Sequence, residues 1–173
     1  MSERVHIKKQ DFLIRPGESN GGTFLVRKGV LRTYKVDAKG KEHILLFAAE
    51  GWIIGDIEAQ INGQSSEVYV QAIEDAEVHR FEMPSKEDPG NPDENHEVFG
   101  EGHYDRLLRR ILTLEQRVMM LLSHSALERY ESFLASYPDL VNRIPQWMIA
   151  SYIGVTPEAL SKARRSRVQG GFS

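Results

Sequence analysis

The chain has 173 residues, of which 40% are hydrophobic and 27% are charged, a composition typical of a globular domain. It contains no cysteine, which excludes disulfides, thiolate nucleophiles and cysteine-held zinc or iron–sulfur centres. It has neither the run of about 18 apolar residues that a membrane span needs nor the apolar segment of a secretory signal, so we expect a cytoplasmic protein without membrane contacts.

The first half of the chain has the pattern of short β-strands. Apolar and polar residues alternate from Thr23 to Val36 on either side of Gly29, and other turns also contain glycine. Further strands are predicted near residues 12–15, 42–47, 68–73 and 76–81. Short strands separated by turns about every ten residues predict an antiparallel barrel or sandwich over residues 1–83.

Residues 84–100 differ in composition from the strands before them. Three prolines, two glycines and a net negative charge predict a loop that links two domains.

A helical period begins near Tyr104, and we expect a dimerisation helix over residues 101–125. Its apolar residues are spaced by four and three positions, as in the seam of a coiled coil. The predicted seam consists of Leu107, Ile111, Leu114, Val118 and Leu121. A helix packed in the core of its own domain would have a similar pattern, so that alternative stays open.

The segment 126–173 is predicted to be a small helical domain that ends in a helix-turn-helix. A first helix covers 125–136. Pro145 suits the first turn of a second helix, and Gly154 suits the end of that helix because it tolerates positive φ. Thr156 is the expected N-cap of the last helix. The alternative is an ordinary pair of antiparallel helices with a basic outer face.

The distribution of charge along the sequence favours binding of a polyanion at the C-terminal end of the chain. Residues 1–100 contribute −6 to the net charge of −3 and residues 101–142 contribute −1, whereas residues 143–173 contribute +4. A basic segment on an otherwise acidic chain is typical of nucleic-acid binding, although a solvated C-terminus would have the same charge.

We expect the last helix to enter the major groove of double-stranded DNA. Glu158 can accept a hydrogen bond from a cytosine amino group, Lys162 can donate to guanine, and the arginines farther along can contact phosphates. The predicted DNA-binding residues are Thr156, Pro157, Glu158, Ser161, Lys162, Arg164, Arg165 and Arg167.

Four motifs in the chain can be compared with known families. Three lie in the strand-rich part, namely Ile14-Arg-Pro-Gly-Glu18, Phe24 to Tyr34 and Phe47-Ala-Ala-Glu-Gly51, and the fourth runs from Ile144 to Ser161 and contains a Pro-Glu pair. With these motifs the chain resembles the Crp/Fnr family of bacterial transcription regulators over nearly its whole length. The resemblance implies an α+β protein with a cyclic-nucleotide-binding-like β jelly roll, a long dimerisation helix and a C-terminal winged helix.

Two departures from the family pattern change the expectations. Members that bind cyclic nucleotides use a Gly-Glu turn and a later Arg-Ser/Thr pair. Here the turn is Gly55-Asp56 and the later positions are Ser66 and Glu67, next to Ser65, without the cation. We therefore expect no cofactor and no tight binding of cyclic AMP at this effector pocket. The few residues after Arg167 predict a reduced or absent wing.

The leading hypothesis is a homodimeric, sequence-specific transcription regulator that reads a pseudo-palindrome, with RNA polymerase as a further expected partner. The histidines lack metal-ligand spacing, and Asp56 and Glu58 lie in a turn without a nucleophile, so neither a metal site nor catalysis is predicted. The alternatives are a ligand-binding module that has lost DNA binding and a regulatory subunit that binds another protein.

Overall fold

A computed structural model describes residues 3–18, 22–81 and 103–170. The chain forms two compact units, Met1–Arg110 and Ile111–Ser173. The predicted linker at 84–100 lies outside the described residues, so the domain boundaries drawn from the sequence stay predictions.

The first unit contains two antiparallel four-stranded sheets. Their orders are β1-β8-β3-β6 and β2-β7-β4-β5. The strands are β1 (Glu3–Ile7), β2 (Phe12–Ile14), β3 (Thr23–Lys28), β4 (Leu31–Val36), β5 (Glu42–Ala48), β6 (Ile53–Gly55), β7 (Tyr69–Ala72) and β8 (Ala76–Phe81). The predicted strand-rich domain is confirmed. The sequence pattern missed β1, which pairs with β8 from Glu3 opposite Arg80 to Ile7 opposite Ala76.

Alternation along the strands places one set of side chains in a shared core. Val26, Leu31, Val70 and Val78 are fully buried in a single hydrophobic cluster drawn from both sheets. Burial of branched apolar side chains is the main favourable contribution to the stability of this unit.

A short helix, α1 (Ile57–Asn62), follows β6. This corrects the expectation that Asp56 and Glu58 lie in a turn: Asp56 is the N-cap of α1, and Glu58 lies in its first turn. An aspartate suits this position because its carboxylate can accept hydrogen bonds from the free N–H groups of a helix start.

Four further helices complete the described part of the chain. They are α2 (His103–Ser123), α3 (Ala126–Ser136), α4 (Gln146–Ile153) and α5 (Pro157–Gly170). Ser125 is the N-cap of α3 rather than its first residue, and it forms a capping box with Glu128. Phe133, Ile149, Ile153 and Leu160 are buried among α3, α4 and α5.

Candidate nucleic-acid interface

The helix α4 is an apolar element that fixes the position of the following turn. Met148, Ile149, Tyr152 and Ile153 are buried. Pro145 is the N-cap and not a residue of the first turn, which corrects the prediction by one position. Its carbonyl accepts from the N–H groups of Met148 and Ile149, at 2.9 and 3.3 Å. The lack of an N–H on proline therefore costs the helix no hydrogen bond.

The turn after α4 closes with two backbone hydrogen bonds. Gly154 has φ 68° and ψ 38°, the left-handed conformation that glycine adopts without strain. The N–H of Gly154 donates to the carbonyl of Ser151 at 3.2 Å, and the N–H of Val155 donates to the carbonyl of Ala150 at 3.0 Å. This pair of bonds is a Schellman motif, and it confirms that Gly154 ends the helix.

Thr156 begins the last helix, as predicted. Its hydroxyl oxygen accepts from the N–H of Ala159 at 3.2 Å, and its carbonyl accepts from the N–H of Leu160 at 3.0 Å. The carboxylate of Glu158 accepts hydrogen bonds from the backbone N–H of Glu158 and from the hydroxyl of Thr156, and both lower the pKa of Glu158. The carboxylate is thus held in its charged form at the start of α5, where the helix dipole also favours a negative charge.

One side of α5 faces its own chain and the other faces solvent. Leu160 and Ala163 are buried, while Ala159 is only half-buried. All eight predicted DNA-binding residues are exposed, and they include four cations. Helical spacing places Glu158, Ser161, Lys162 and Arg165 on one stripe, with Arg164 on its flank.

A cleft of about 570 Å³ borders the basic helix. Buried Tyr130 of α3 forms part of its wall, and Ser161, Arg164 and Arg165 line the side contributed by α5. The cleft combines hydroxyl and guanidinium donors next to an aromatic surface, which suits a phosphodiester backbone.

The predicted dimer seam on α2 is only partly exposed. Ile111 is 59% exposed and Val118 is 55% exposed, whereas Leu107 and Leu121 are half-buried. The exposed apolar face instead includes Leu122, which is 78% exposed. Leu121 is directed toward its own chain, where a Cβ added to Gly154 would lie 3.0 Å from its Cδ2 atom. The seam drawn from the sequence stays a prediction, and its residues Ile111, Leu114 and Val118 are exposed.

Sequence reasoning missed two arginines that connect these helices. The guanidinium of Arg129 in α3 donates to the carbonyls of Leu121 and His124, at 3.0 and 2.9 Å, and to that of Ile153 at 3.2 Å. A weaker contact of 3.5 Å reaches the carbonyl of Gly154. A signal was present in the sequence: Arg129 lies in the first turn of α3, where the helix dipole disfavours a cation, and α3 directly follows the end of α2, where the dipole favours one.

Arg117 of α2 makes the second connection. Its Nε donates to the carbonyl of Tyr152 at 3.2 Å, and its guanidinium carbon lies 4.3 Å from the centre of the Tyr152 ring. Burial lowers the pKa of Arg117, and the same burial raises the pKa of Tyr152. A charged group retained at a half-buried position indicates a structural role for this contact.

The structure brings three of the four predicted effector-pocket residues together. The Asp56 carboxylate accepts from the N–H of Ala59 at 3.1 Å, from the hydroxyl of Ser66 at 2.8 Å and from the N–H of Glu67 at 3.3 Å. Ser66 is buried, whereas Ser65 is exposed. The donors around this turn therefore already bind a negative charge that belongs to the chain.

Gly55 positions this turn against β3. Its φ is 148°, and an added Cβ would lie 2.3 Å from the carbonyl oxygen of Gly22. Only glycine fits such a close approach of two backbones. Next to it, the hydroxyl of buried Thr23 donates to the side-chain carbonyl of Gln60 at 2.5 Å, which attaches α1 to the sheet.

Across the described ranges, acidic and histidine side chains form no cluster of three or more that could hold a metal ion. In the same part of the chain, no helix combines the length and the apolar character that crossing a membrane demands.

Comparisons with known proteins identify the class of fold first. Residues 4–86 match the family model described as "Cyclic nucleotide-binding domain". A CRP/FNR-family transcriptional regulator from Thermus thermophilus superposes with a TM-score of 0.74 at 18% identity, covering 98% of this chain and 87% of that one. The fold is thus a cyclic nucleotide-binding sandwich followed by helices.

Sequence relatives extend the likeness through the helical part. The transcriptional activator protein anr of Pseudomonas aeruginosa is 30% identical over 136 residues, 75% of this chain and 51% of that protein. The transcriptional activator FnrA of Stutzerimonas stutzeri is 27% identical over 183 aligned residues, covering 96% of this chain and 70% of that protein. The chain spans about half the length of the Pseudomonas relative. The chain is thus similar, in sequence and in fold, to transcription regulators of the CRP/FNR family.

Proposed function

We propose that the protein is a cytoplasmic, homodimeric transcription regulator whose helix α5 binds the major groove of double-stranded DNA. RNA polymerase stays a predicted partner, and no catalytic role is proposed.

The observation that carries the proposal is the solvent-facing side of α5. Lys162, Arg164, Arg165 and Arg167 are exposed there beside a single acidic residue, Glu158. The helix follows α4 after a tight turn, which is the arrangement of a helix-turn-helix. Cations on such a helix neutralise phosphates and release counterions, so binding would weaken as salt rises.

The exposed stripe on α5 supports a division of roles. Glu158, Ser161 and Lys162 lie in the first half of the helix, the part that reaches base edges when a recognition helix enters the groove. Arg164 lies on the flank beside Tyr130, where it suits a phosphate contact. Base contacts would supply sequence preference, and phosphate contacts would supply affinity.

The exposed apolar face of α2 supports self-association. Large side chains such as Ile111, Val118 and Leu122 are costly to leave in water, and a second copy of the same helix would cover them. A two-fold dimer presents two recognition helices, and these would prefer half-sites about one helical turn apart.

The barrel supports the prediction that cyclic AMP is not an effector. A cyclic phosphate at the Gly55-Asp56 turn would meet the Asp56 carboxylate, which already accepts from Ser66 and from two backbone N–H groups. The two negative charges would repel each other, and the turn has no arginine at the position where the family's nucleotide-binding members have one. Calorimetric titration that yields micromolar or tighter affinity for cyclic AMP would contradict this part of the proposal.

Gel shifts on a library of genomic fragments test DNA binding directly. We expect a subset of fragments to shift at about 50 mM salt, with affinity that falls steeply as salt increases. The selected fragments should share a pseudo-palindrome. If dimeric protein shifts no fragment under these conditions, the proposed function is wrong.

A further inference from the structure

The C-terminal ends of two helices meet at one side chain, Arg129 of α3. Its Nη2 donates to the carbonyl of Leu121 and its Nε donates to that of His124, both at the end of α2. Its Nη1 donates to the carbonyls of Ile153 and Gly154, at the end of α4. All three nitrogens of the guanidinium are therefore used on backbone acceptors.

Helix ends explain why a cation is placed here. The last carbonyls of a helix have no partner within that helix, and together they carry a partial negative charge. At Arg129 two such ends are joined by one planar group that donates in several fixed directions. A lysine ammonium would bring the charge but not the fixed directions that reach both helices.

The same junction is packed as well as hydrogen-bonded. An added Cβ at Gly154 would lie 3.0 Å from the Leu121 side chain and 3.4 Å from Nη1 of Arg129. Arg117 makes a second connection, since it lies on α2 and donates to the carbonyl of Tyr152 in α4. The turn that leads into α5 is thus attached to α2 by hydrogen bonds, by an aromatic contact and by side-chain packing.

We propose that Arg129 is a positioning residue that fixes the direction of α5 relative to α2. This inference rests on the proposed function, because it assigns to α2 the dimer contact and to α5 the DNA contact. If α2 holds two copies together, the orientation of each α5 relative to its own α2 determines the separation of the two recognition helices. Arg129 therefore sets which half-site spacing the dimer accepts, although it touches no DNA itself.

A distance measurement tests the positioning role without DNA. The chain has no cysteine, so Gln116→Cys on α2 and Ser166→Cys on α5, both exposed, accept spin labels at those two positions alone. Mixing with an excess of unlabelled protein leaves at most one labelled chain in nearly every dimer. Electron-resonance distances should then show one narrow peak. In Arg129→Lys and Arg129→Ala we expect that peak to widen at least twofold.

The matched control is Glu131→Ala, an exposed change on the same helix that leaves the junction intact. It should keep the narrow peak. If Arg129→Ala does not fold, Arg129→Lys decides the matter, since it retains the charge and the helix propensity. A folded Arg129→Lys protein with the original peak width would overturn the proposal.

DNA binding provides the second readout, on the palindrome selected by the gel shifts. Arg129→Lys should bind it about tenfold more weakly, while binding to a single half-site and the dependence of affinity on salt stay unchanged, because no phosphate contact is lost. Its preference for the native spacing over a site with two added base pairs should shrink. Equal losses on palindrome and half-site would indicate general destabilisation and overturn the positioning role. If the unmodified protein binds no DNA, the proposed function fails, whereas the distance measurement still decides the role of Arg129.

Discussion

Asp37 closes the turn between β4 and β5 with three hydrogen bonds. Its carboxylate accepts from the N–H groups of Lys39 and Lys41, at 2.8 and 3.0 Å, and lies 2.8 Å from Nε2 of His43. The bond with His43, followed by those from the backbone, lowers the pKa of Asp37 from 3.8 to about 2. The charged form is thus favoured by the folded state.

The pKa of Asp37 predicts a pH-dependent contribution to stability. Because the folded-state pKa is the lower one, the contribution is complete above pH 3.8 and is lost as the pH falls toward about 2. Asp37→Asn should therefore be less stable than the unmodified protein near pH 6, and the difference in urea midpoint should shrink between pH 4 and pH 2. His43→Ala removes the hydrogen bond that lowers the pKa of Asp37 most, so in that variant the pH range over which this stability is lost should be narrower. An Asp37→Asn difference that is independent of pH would contradict this account.

Gly154 and Gly63 form a natural pair for separating backbone strain from packing. Both have left-handed φ values, 68° and 64°, but an added Cβ meets Leu121 at 3.0 Å at Gly154 and meets nothing within 4 Å at Gly63. Gly63→Ala should cost about 1–2 kcal/mol of unfolding free energy, the usual penalty for an L-residue in this conformation.

Gly154→Ala should cost more than Gly63→Ala, because the Leu121 and Arg129 side chains must also move. The two tryptophans allow each change to be followed in its own unit, since Trp52 lies in the first and Trp147 in the second. Urea unfolding monitored by fluorescence, with one tryptophan retained at a time, gives the two free energies. Equal costs at both glycines would show that packing at Gly154 is unimportant.

The DNA contacts proposed for α5 are of two kinds, to bases and to phosphates. Lys162 lies on the central stripe with Glu158 and Ser161, and Arg164 lies on its flank. Lys162→Ala should lower affinity for the selected site by about 1–3 kcal/mol and relax sequence preference at one base pair, if it reads a base.

Arg164→Ala is the matched change of one cation on the same helix. It should weaken binding to all sequences alike and reduce the slope of log affinity against log salt by about 0.9, the value for one phosphate. Fluorescence anisotropy on the selected site and on scrambled DNA measures both variants. If the two variants have the same effect on every sequence, the division of roles along α5 is wrong.

Assembly of two copies of the chain would depend on a charged position, Glu115, within the exposed apolar face of α2. Ile111, Val118 and Leu122 are exposed, and Glu115 occupies the place between Ile111 and Val118 in the same four-and-three spacing. In a parallel two-fold dimer, seam residues face their own counterparts, so two Glu115 carboxylates would approach each other. Such a pair opposes association.

Glu115→Leu should therefore tighten self-association by at least about tenfold, equivalent to about 1.4 kcal/mol, since it removes the repulsion and adds apolar surface. Glu131→Leu makes the same change at an exposed position on α3 and is the control. Sedimentation at several concentrations gives the two constants. Weaker association of Glu115→Leu, or an equal gain from Glu131→Leu, would show that this face of α2 is not the dimer contact.

Local patterns alone determined much of the architecture. Alternation around Gly29 indicated β3 and β4, and the chemistry of Gly154 and Thr156 indicated where α4 ends and α5 begins. These signals are readable because each depends on the preferences of single residues or on a short period. The order of the strands within each sheet and the pairing of β1 with β8 could not be read in this way, since they depend on contacts between residues far apart in sequence.

The strand-rich first unit, the helices after it and the exposed basic side of α5 can all be predicted from sequence patterns, because burial and charge repeat with the period of each element. The folded chain adds that the Asp56 carboxylate accepts from Ser66, that Leu121 is directed toward the Gly154 turn and that Arg129 joins the ends of α2 and α4. These contacts join different elements of the chain, so no local period marks them, and a backbone carbonyl that accepts from an arginine carries no residue-type signature.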